Sequence, residues 1–325
     1  GGIKMFDIKK MIEKSQKKRK SKTLVFTGVG GSLACYYAAN YYLQREAKHL
    51  TTSFVSSNEF VHDTPACVTE NSIVVIASRG GNTKETVEAG RVAKKLGATV
   101  VGLTHEEGVN GISTVSDYTI VFEDGEGIPF EVGKSAYIMK IAYELLYKLE
   151  KNDKYEAMVQ AMAKMNDIIP KAQKDIIPEA IQFSINYKDD HVIYTLGSGT
   201  AWSAAQQQTI CIFMEMQWIN AAVIHSGEFF HGPFEITDPD TAFLLLKSSG
   251  KTKALDERAI QFLSQYNHHL TVIDPEKYGL NELNEVSGYF DYDFHTAMLS
   301  VFNKLLADMR NHPLSKRKYM WKYNY

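Results

Sequence analysis

The segment TLVFTGVGGSLA, residues 23 to 34, joins a short apolar run to the start of a helical pattern through a glycine-rich turn. Its first six residues, TLVFTG, are rich in β-branched and apolar side chains, which predicts a buried strand. The pattern SLACYYAANYYLQREA that follows predicts a helix. Because a strand that runs through a short turn into a helix is the first part of a βαβ unit, this segment predicts a parallel α/β sheet.

The same alternation of strands and helices continues through the first half of the chain. Further strands are predicted at HLTTSFVS, SIVVIAS, ATVVGLTH and YTIVFE, with TKETVEAGRVAKKLG as a crossover helix and SAYIMKIAYELLYKLE as the closing helix. A polar helical stretch follows over about 152–182. We expect Pro170 and Pro178 to interrupt it, because proline cannot donate the helical hydrogen bond.

The order of elements then repeats in the second half, which indicates a duplicated α/β unit. Strands are predicted at HVIYTLGSG, DTAFLLLKSSG and HLTVIDP, with helices over about 200–218, 253–266 and 293–309. A chain of 325 residues exceeds the usual size of one hydrophobic core. We therefore predict a first domain over 1–152, connecting helices over 153–182, and a second domain with a C-terminal tail over 183–325.

Composition argues against several classes of partner. The chain is 44% hydrophobic and 23% charged with a net charge of −2, which is typical of a globular protein without overall attraction to nucleic acid. The basic run KSQKKRKSK at 14–22 is interpreted as a solvated helix end. Because the sequence has no long apolar run and no signal-type segment, we expect no membrane contact and a cytoplasmic location. The three cysteines form no CxxC pair, and no metal site is predicted.

The loops expected at the carboxyl ends of the strands carry small and hydroxyl residues, and ligands of parallel sheets bind at that edge. TGVGGSLA offers Gly30 for close backbone approach and Ser32 at a helix start, while ASRGGNTKET offers Ser78 and Thr83. Backbone N–H groups and hydroxyls at helix starts favour a phosphate. Leu33 stands where the dinucleotide motif GxGxxG needs glycine, so a compact phosphate monoester is predicted rather than a nicotinamide cofactor. The loop LGSGTAWSA repeats this design in the second half.

The stretch GEFFHGPFE, residues 227 to 235, places His231 before a Gly-Pro step that ends any helix. A histidine at such a chain break titrates near neutral pH and can transfer protons. An ordinary surface histidine is the alternative interpretation.

Together, TGVGGSLA, ASRGGNTKET, GEFFHGPFE and the duplicated unit resemble the SIS (sugar isomerase) family over nearly the whole chain. The resemblance implies an α/β fold of two tandem SIS domains, each a parallel sheet flanked by helices in a flavodoxin-like αβα sandwich. Within that family, the sequence is similar to the isomerase part of glucosamine-6-phosphate synthase and, more closely, to bacterial deglycases of 6-phosphorylated sugar–amine conjugates such as fructoselysine 6-phosphate. Both MEMQWINAAVIHSGEFFHGPFEI and NHPLSKRKYMWKYNY resemble the deglycase pattern.

The resemblance assigns catalytic positions. The family places a glutamate sixteen residues before the histidine of its HGP step, which makes Glu215 and His231 the acid–base pair. The family's lysine near the C-terminus corresponds to Lys318 in the basic run SKRK. The apolar neighbours of Glu215 in MEMQW predict a buried carboxylate, which needs a partner or a role. On the preceding helix, this chain has Ile212 and Gln208 where the synthase has a lysine and a glutamate.

The resemblance also assigns phosphate-binding positions, which are Ser32, Ser78 and Thr83. Gly80 replaces a serine of the synthase, and the adjacent Arg79 is a candidate to compensate by charge, although an arginine that points to solvent is an equal alternative. Ser135, in PFEVGKSA, is a candidate to reach the sugar. Arg79, Lys134 and the C-terminal basic run are candidates to bind the carboxylate of a released amino acid.

The resemblance further implies a homodimer or larger assembly with a shared active site, in which His231 is donated across the interface. It implies no metal or redox cofactor. The chain contains no glutaminase domain, so we do not expect an ammonia-fed synthase.

The predicted function is a phosphosugar deglycase. Glu215 would remove the C1 proton of a ketoamine to give an enaminol, with His231 as the acid, and hydrolysis of the resulting imine would release glucose 6-phosphate and an amine. A conjugate aminated at C2 would instead release fructose 6-phosphate, and the sequence does not separate the two. One alternative is an aldose/ketose phosphosugar isomerase that uses the same residues. Another is a noncatalytic sugar-phosphate-binding module; a regulator of this kind would need a DNA-binding segment, for which the residues before the first strand are too few.

Overall fold

The computed structural model describes residues 5–325. The chain forms two compact units, one ending at Asn166 and the other comprising Asp167–Tyr325. Each unit contains one parallel β-sheet flanked by helices, so the expected α/β class is confirmed. Within the described residues, no helix combines the length and the apolar character needed to cross a membrane.

The first unit is built on a five-stranded parallel sheet with the strand order 2-1-3-4-5. Its strands are β1 Thr23–Gly28, β2 Thr51–Ser56, β3 Ser72–Ala77, β4 Thr99–Thr104 and β5 Tyr118–Val121. Every residue of β3 and β4 is buried, as expected where helices cover both faces of a sheet. Thr27 lies opposite Ile76, so β1 and β3 end side by side at the carboxyl edge. In this flavodoxin-like order, ligands bind at that edge.

Six helices surround the first sheet: α1 Ile8–Lys18, α2 Gly30–Glu46, α3 Ser57–His62, α4 Lys84–Lys95, α5 Gly111–Val115 and α6 Lys134–Glu150. The predicted helices α2, α4 and α6 are all present. The last turn of α1 carries the exposed Lys17 and Lys18. Cations are favourable at a helix C-terminus, and the interpretation of the basic run as a solvated helix end is confirmed.

Two further helices follow, α7 Tyr155–Asp175 and α8 Ile177–Tyr187, and the boundary between the units lies within α7. Pro178 stands in the first turn of α8, where its missing N–H costs nothing. The expected interruption at Pro170 is wrong, because α7 continues through it. A proline in a helix interior costs about 3 kcal/mol. Buried side chains of α7 on both sides of the proline, including Met158, Met165 and Ala172, offset this cost by packing.

The second unit has a four-stranded parallel sheet with the strand order 7-6-8-9. Its strands are β6 Val192–Gly197, β7 Asn220–His225, β8 Ala242–Leu246 and β9 Leu270–Ile273. Sequence patterns predict three of them and miss β7, which lies at the edge of the sheet and keeps most of its residues partly or fully exposed. Its apolar pattern is therefore weak.

Besides α8, the helices of this unit are α9 Ala201–Gln207, α10 Lys253–Tyr266 and α11 Asp291–Met309, with 3₁₀ segments at Pro233–Ile236, Pro275–Tyr278 and Leu280–Phe290. The predicted helix over 200–218 is instead α9 followed by a π-helix, Gln208–Met214. The π-helix ends immediately before Glu215. Short π-helical turns occur frequently at functional sites.

Candidate functional site

The loop between β1 and α2 brings a hydroxyl to a helix N-terminus. Gly30 adopts a φ of 55°, a left-handed conformation that glycine tolerates best. A Cβ added at Gly28 would lie 2.8 Å from the ring of Tyr36, so the loop approaches this helix too closely for a larger residue. Ser32 lies in the first turn of α2, and its Oγ accepts a hydrogen bond from Lys134 Nζ at 3.2 Å.

The loop between β3 and α4 holds two hydroxyls together. Ser78, which is 4% exposed, and Thr83 have their hydroxyl oxygens 2.8 Å apart, and the Thr83 N–H donates to Ser78 Oγ at 3.3 Å. Gly81 has a φ of 73°, and a Cβ there would lie 2.5 Å from the Asn110 side chain. A Cβ added at Gly80 would meet nothing within 4 Å. Open space therefore exists where the synthase has a serine.

Lys134 is the first residue of α6, where a cation is unfavourable because the helix N-terminus carries partial positive charge. Its Nζ contacts Ser32 and lies 5.7 Å from the ring centroid of Phe122. Its charge also acts on Asp124 and helps to lower the pKa of that carboxyl. From the sequence, Lys134 is a candidate only to bind an amino-acid carboxylate. Its contact with Ser32 cannot be predicted, because the two residues are 102 positions apart and only the fold brings them together. Ser135, the next residue, is half-buried beside it.

Arg79 is exposed over 64% of its side chain and is also paired with Asp124. Its Nε donates to Asp124 Oδ2 at 2.7 Å and its Nη2 donates to Oδ1 at 3.1 Å. These hydrogen bonds lower the pKa of Asp124 and raise the pKa of Arg79. His105 Nδ1 lies 3.8 Å from the same carboxylate. Asp124 thus balances the charge that Arg79 brings to the loop.

In the second unit, the glycine-rich loop after β6 and the serine pair after β8 are already occupied by carboxylates of the chain. Ser198 Oγ donates to Asp256 Oδ2 at 2.9 Å. Ser249 donates to Asp291 through its N–H at 3.0 Å and through its hydroxyl at 2.6 Å. Burial raises the pKa of Asp291 to about 7, although the hydrogen bonds from Ser249 and Ser248 act to lower it. LGSGTAWSA therefore repeats the order of strand, glycine-rich loop and helix, as predicted. The hydroxyl of Ser198 in this loop is already bonded to a carboxylate of the chain.

Glu215 follows the π-helix directly, and its side chain is 22% exposed. The expectation of a carboxylate buried among apolar residues is not met. Arg317 donates to Glu215 Oε1 from Nη2 at 2.8 Å and from Nε at 3.1 Å. Arg317 itself is only 8% exposed. The sequence shows four basic and polar residues in SKRK without indicating which of them turns inward.

Lys318 directly follows Arg317 in the chain. Its side chain is exposed, and its Nζ lies 5.3 Å from the ring centroid of Tyr319. Gln208, at one of the two positions that differ from the synthase, is buried and exchanges two hydrogen bonds with Asn303 at 2.6 and 2.9 Å. It therefore has a packing role in this chain.

His231 is exposed in a turn between β7 and the 3₁₀ segment that begins at Pro233. Its N–H donates to the Glu228 carbonyl at 2.9 Å, and Gly232 follows with a φ of 123°. The loop is fixed by its phenylalanines, since Phe229 is fully buried with its ring centroid 5.9 Å from that of Phe262. In the part of the chain that the structure describes, no hydrogen bond or ion pair joins His231 to the carboxylate sixteen residues earlier.

The strand order of the first unit and the hydroxyl loops at its carboxyl edge define a flavodoxin-like α/β protein, in the class whose ligands bind beyond the strand ends. The model of the SIS domain matches residues 18–149. Fructosamine deglycase FrlB of Bacillus subtilis (strain 168) is 35% identical over 301 residues, which cover 92% of each chain. This protein belongs to the SIS family, and the expectation of an enzyme is confirmed by this relative.

Other proteins are similar to this chain in sequence or in fold. Fructoselysine 6-phosphate deglycase of Escherichia coli (strain K12) is 25% identical over 235 residues, covering 70% of this chain and 68% of that protein. A crystal structure of a Salmonella typhimurium LT2 protein, provisionally assigned as a phosphosugar isomerase, has a TM-score of 0.94 at 41% identity and covers 98% of both chains. The C-terminal domain of glucosamine-fructose-6-phosphate aminotransferase from Francisella tularensis has a TM-score of 0.76 at 18% identity over 96% of this chain and 90% of that one, which shows the fold alone.

Proposed function

We propose that this protein is a deglycase that cleaves a 6-phosphorylated sugar–amine conjugate into a hexose 6-phosphate and a free amino acid. The observation that carries the proposal is the 35% identity, over 92% of both chains, to a protein named as a fructosamine deglycase. The 6-phosphate would accept hydrogen bonds from Ser32, Ser78, Thr83 and the backbone at Gly30. Lys134 would add a positive charge, since its Nζ already contacts Ser32 Oγ. Arg79 and Ser135 are proposed to bind at the same edge.

The proposed chemistry is a proton shuttle in the open-chain sugar. Glu215 takes the C1 proton of the ketoamine, and the C2 carbonyl becomes the hydroxyl of an enaminol. His231 acts as the acid and assists proton return at C2, while the amine nitrogen loses its proton to form a C1 imine. Water adds to the imine, and the C–N bond breaks to give an aldose 6-phosphate and the amine. Acid–base groups of this kind each contribute about 10² to 10⁴ in rate.

A conjugate aminated at C2 would react by the reverse sense of the same shuttle and release a ketose 6-phosphate. The two substrates are distinguished by a coupled assay. Incubation with fructoselysine 6-phosphate and, separately, glucoselysine 6-phosphate should yield glucose 6-phosphate from the first or fructose 6-phosphate from the second. We expect Glu215→Gln and His231→Asn each to lose about 10²-fold or more in turnover. Full activity in Glu215→Gln would rule out the proposed chemistry.

The second candidate is an aldose/ketose phosphosugar isomerase. It is favoured by the 41% identity to the Salmonella typhimurium protein with that provisional assignment. The same Glu215 and His231 would move the proton between C1 and C2 of a free hexose phosphate. Interconversion of glucose 6-phosphate and fructose 6-phosphate without an amine, combined with no release of amine from either conjugate, would replace the deglycase by the isomerase.

We also propose a cytoplasmic homodimer in which His231 serves the partner's carboxylate. The proposal is supported by the exposure of His231 and because, within the described part of one chain, no hydrogen bond or ion pair joins His231 to Glu215. Mixing inactive Glu215→Gln with inactive His231→Asn should restore activity, because mixed dimers would contain one intact site. Lys318 is proposed as a third catalytic group on the resemblance alone, and Lys318→Met should lower kcat if it acts on substrate.

A further inference from the structure

We infer that Arg317 is a positioning residue that fixes Glu215 so that Oε2 is the oxygen that takes the substrate proton. The inference rests on the proposed role of Glu215. Both contacts from Arg317 end on the same atom, Oε1, at 2.8 and 3.1 Å. In the described part of the chain, Oε2 accepts no hydrogen bond. The carboxylate therefore has one oxygen committed to the guanidinium and one available as a base.

Arg317 is itself held before any substrate arrives. Its Nη1 donates to the carbonyls of Leu314 at 2.7 Å and Lys316 at 3.0 Å, and its guanidinium lies 4.9 Å from the ring centroid of Trp321. Lys322 Nζ donates to the Arg317 carbonyl at 2.6 Å. All three nitrogens of the guanidinium are thus bonded, and the group is almost fully buried. The planar fork leaves little freedom to either side chain.

This arrangement affects catalysis through alignment. A fixed carboxylate can be aligned with a C–H bond, and misplacement of a reacting group by about 1 Å can cost about 10² in rate. The C-terminal tail therefore supplies the orientation of the base, although Arg317 need not touch the substrate.

Arg317→Met, Arg317→Lys and Glu215→Gln test the inference, with Arg91→Met as the control for loss of an arginine, since Arg91 pairs with Glu88 on an exposed helix face. We expect Arg317→Met to lower kcat about 10²-fold with little change in KM. Arg317→Lys should lose about tenfold, because one ammonium replaces charge but not the fork. In both, exchange of the C1 proton with deuterated water should slow in proportion to kcat.

The outcomes separate the inference from the proposed function. If Glu215→Gln is inactive while Arg317→Met and Arg317→Lys keep the wild-type kcat and the wild-type rate of C1 proton exchange, the positioning role is overturned and the proposed function stands. If Glu215→Gln remains active, both are overturned. If Arg317→Met does not fold, Arg317→Lys decides, because wild-type kcat and wild-type exchange in that variant also overturn the inference.

Discussion

The hydroxyl oxygens of Ser78 and Thr83 lie 2.8 Å apart where β3 passes into α4, so one of the two hydroxyls donates to the other. A phosphate at this helix start would accept from both hydroxyls at once, and a hydrogen bond to a charged group contributes about 1.5–3 kcal/mol. We expect Ser78→Ala to raise the Kd for glucose 6-phosphate roughly 10- to 150-fold, measured by calorimetry. Ser264→Ala is the control, because that hydroxyl bonds only to the Ile260 carbonyl on an exposed helix. Equal affinity in the two variants would remove Ser78 from the phosphate site.

Gly80→Ser should strengthen phosphate binding. A Cβ at this position meets nothing within 4 Å, so the substitution adds a hydroxyl without a clash. One added hydrogen bond is worth about 0.5–1.5 kcal/mol, which corresponds to a two- to tenfold lower Kd. Gly80→Ala makes the same backbone change without the hydroxyl and should leave Kd unaltered. A Kd of Gly80→Ser that matches Gly80→Ala would show that Arg79 and its neighbours already complete the site.

Lys134→Met should weaken ligand binding and stabilise the protein. Removing a cation from the first turn of α6 should increase the free energy of unfolding by about 0.3–1 kcal/mol. Loss of the same charge should reduce phosphosugar affinity and flatten its dependence on salt. Lys95→Met provides the matched control, since Lys95 lies in the last turn of α4, where a cation is favourable. That variant should lose stability and keep affinity. Destabilisation by Lys134→Met would contradict the assignment of Lys134 to a ligand.

Asp291 should make the second unit less stable as pH rises. Its pKa is raised by burial from 3.8 to about 7, and the nearby Asp256 adds to the rise. The folded state therefore holds a proton that the unfolded state has lost over this interval, so the stabilisation present below pH 3.8 disappears as pH passes through about 7. One pKa unit corresponds to about 1.4 kcal/mol, which gives a difference of about 4 kcal/mol.

Thermal unfolding at pH 5 and pH 8 measures this effect. We expect Asp291→Asn to show a smaller fall in Tm between the two values than the wild type. His295, four residues later, has its pKa lowered by burial from 6.5 to about 4, so its protonation in the unfolded state makes stability rise with pH between those values. Because this contribution is present in both wild type and Asp291→Asn, it cancels in the comparison. Asp189→Asn, at a side chain 90% exposed, should behave as the wild type. Parallel falls in Tm for wild type and Asp291→Asn would contradict a protonated Asp291.

Much of the fold follows from the sequence because buried parallel strands are continuous apolar runs. β3 and β4 are fully buried, and their runs SIVVIA and TVVGLT are unmistakable. β7 escapes prediction because an edge strand with exposed residues shows no such run. The change from α9 to a π-helix also leaves no compositional trace. Pro170 misleads because tertiary packing outweighs a local preference.

The candidate site is predictable only where residues are close in the chain. Ser78 and Thr83 are five residues apart and belong to one loop, so a motif describes them. Lys134 reaches Ser32 across 102 residues, and Arg317 reaches Glu215 across the same separation. Such pairs depend on how helices and the tail pack against a sheet. The family resemblance identifies Lys318 by its distance along the sequence from Pro313. The fold of the tail buries its neighbour Arg317 and brings that side chain to Glu215.

The carboxylates of Asp256 and Asp291 affect how many hexose phosphates one polypeptide is expected to bind. Both carboxylates accept hydrogen bonds from serines in the loops that follow β6 and β8. In the first unit, the serines of the corresponding loops would donate to a phosphate. We therefore expect the two α/β units to provide one phosphate site rather than two. A titration with a hexose phosphate should saturate at a single equivalent per polypeptide. In the second unit, the same loops instead hydrogen-bond to carboxylates of the chain and so stabilise the fold.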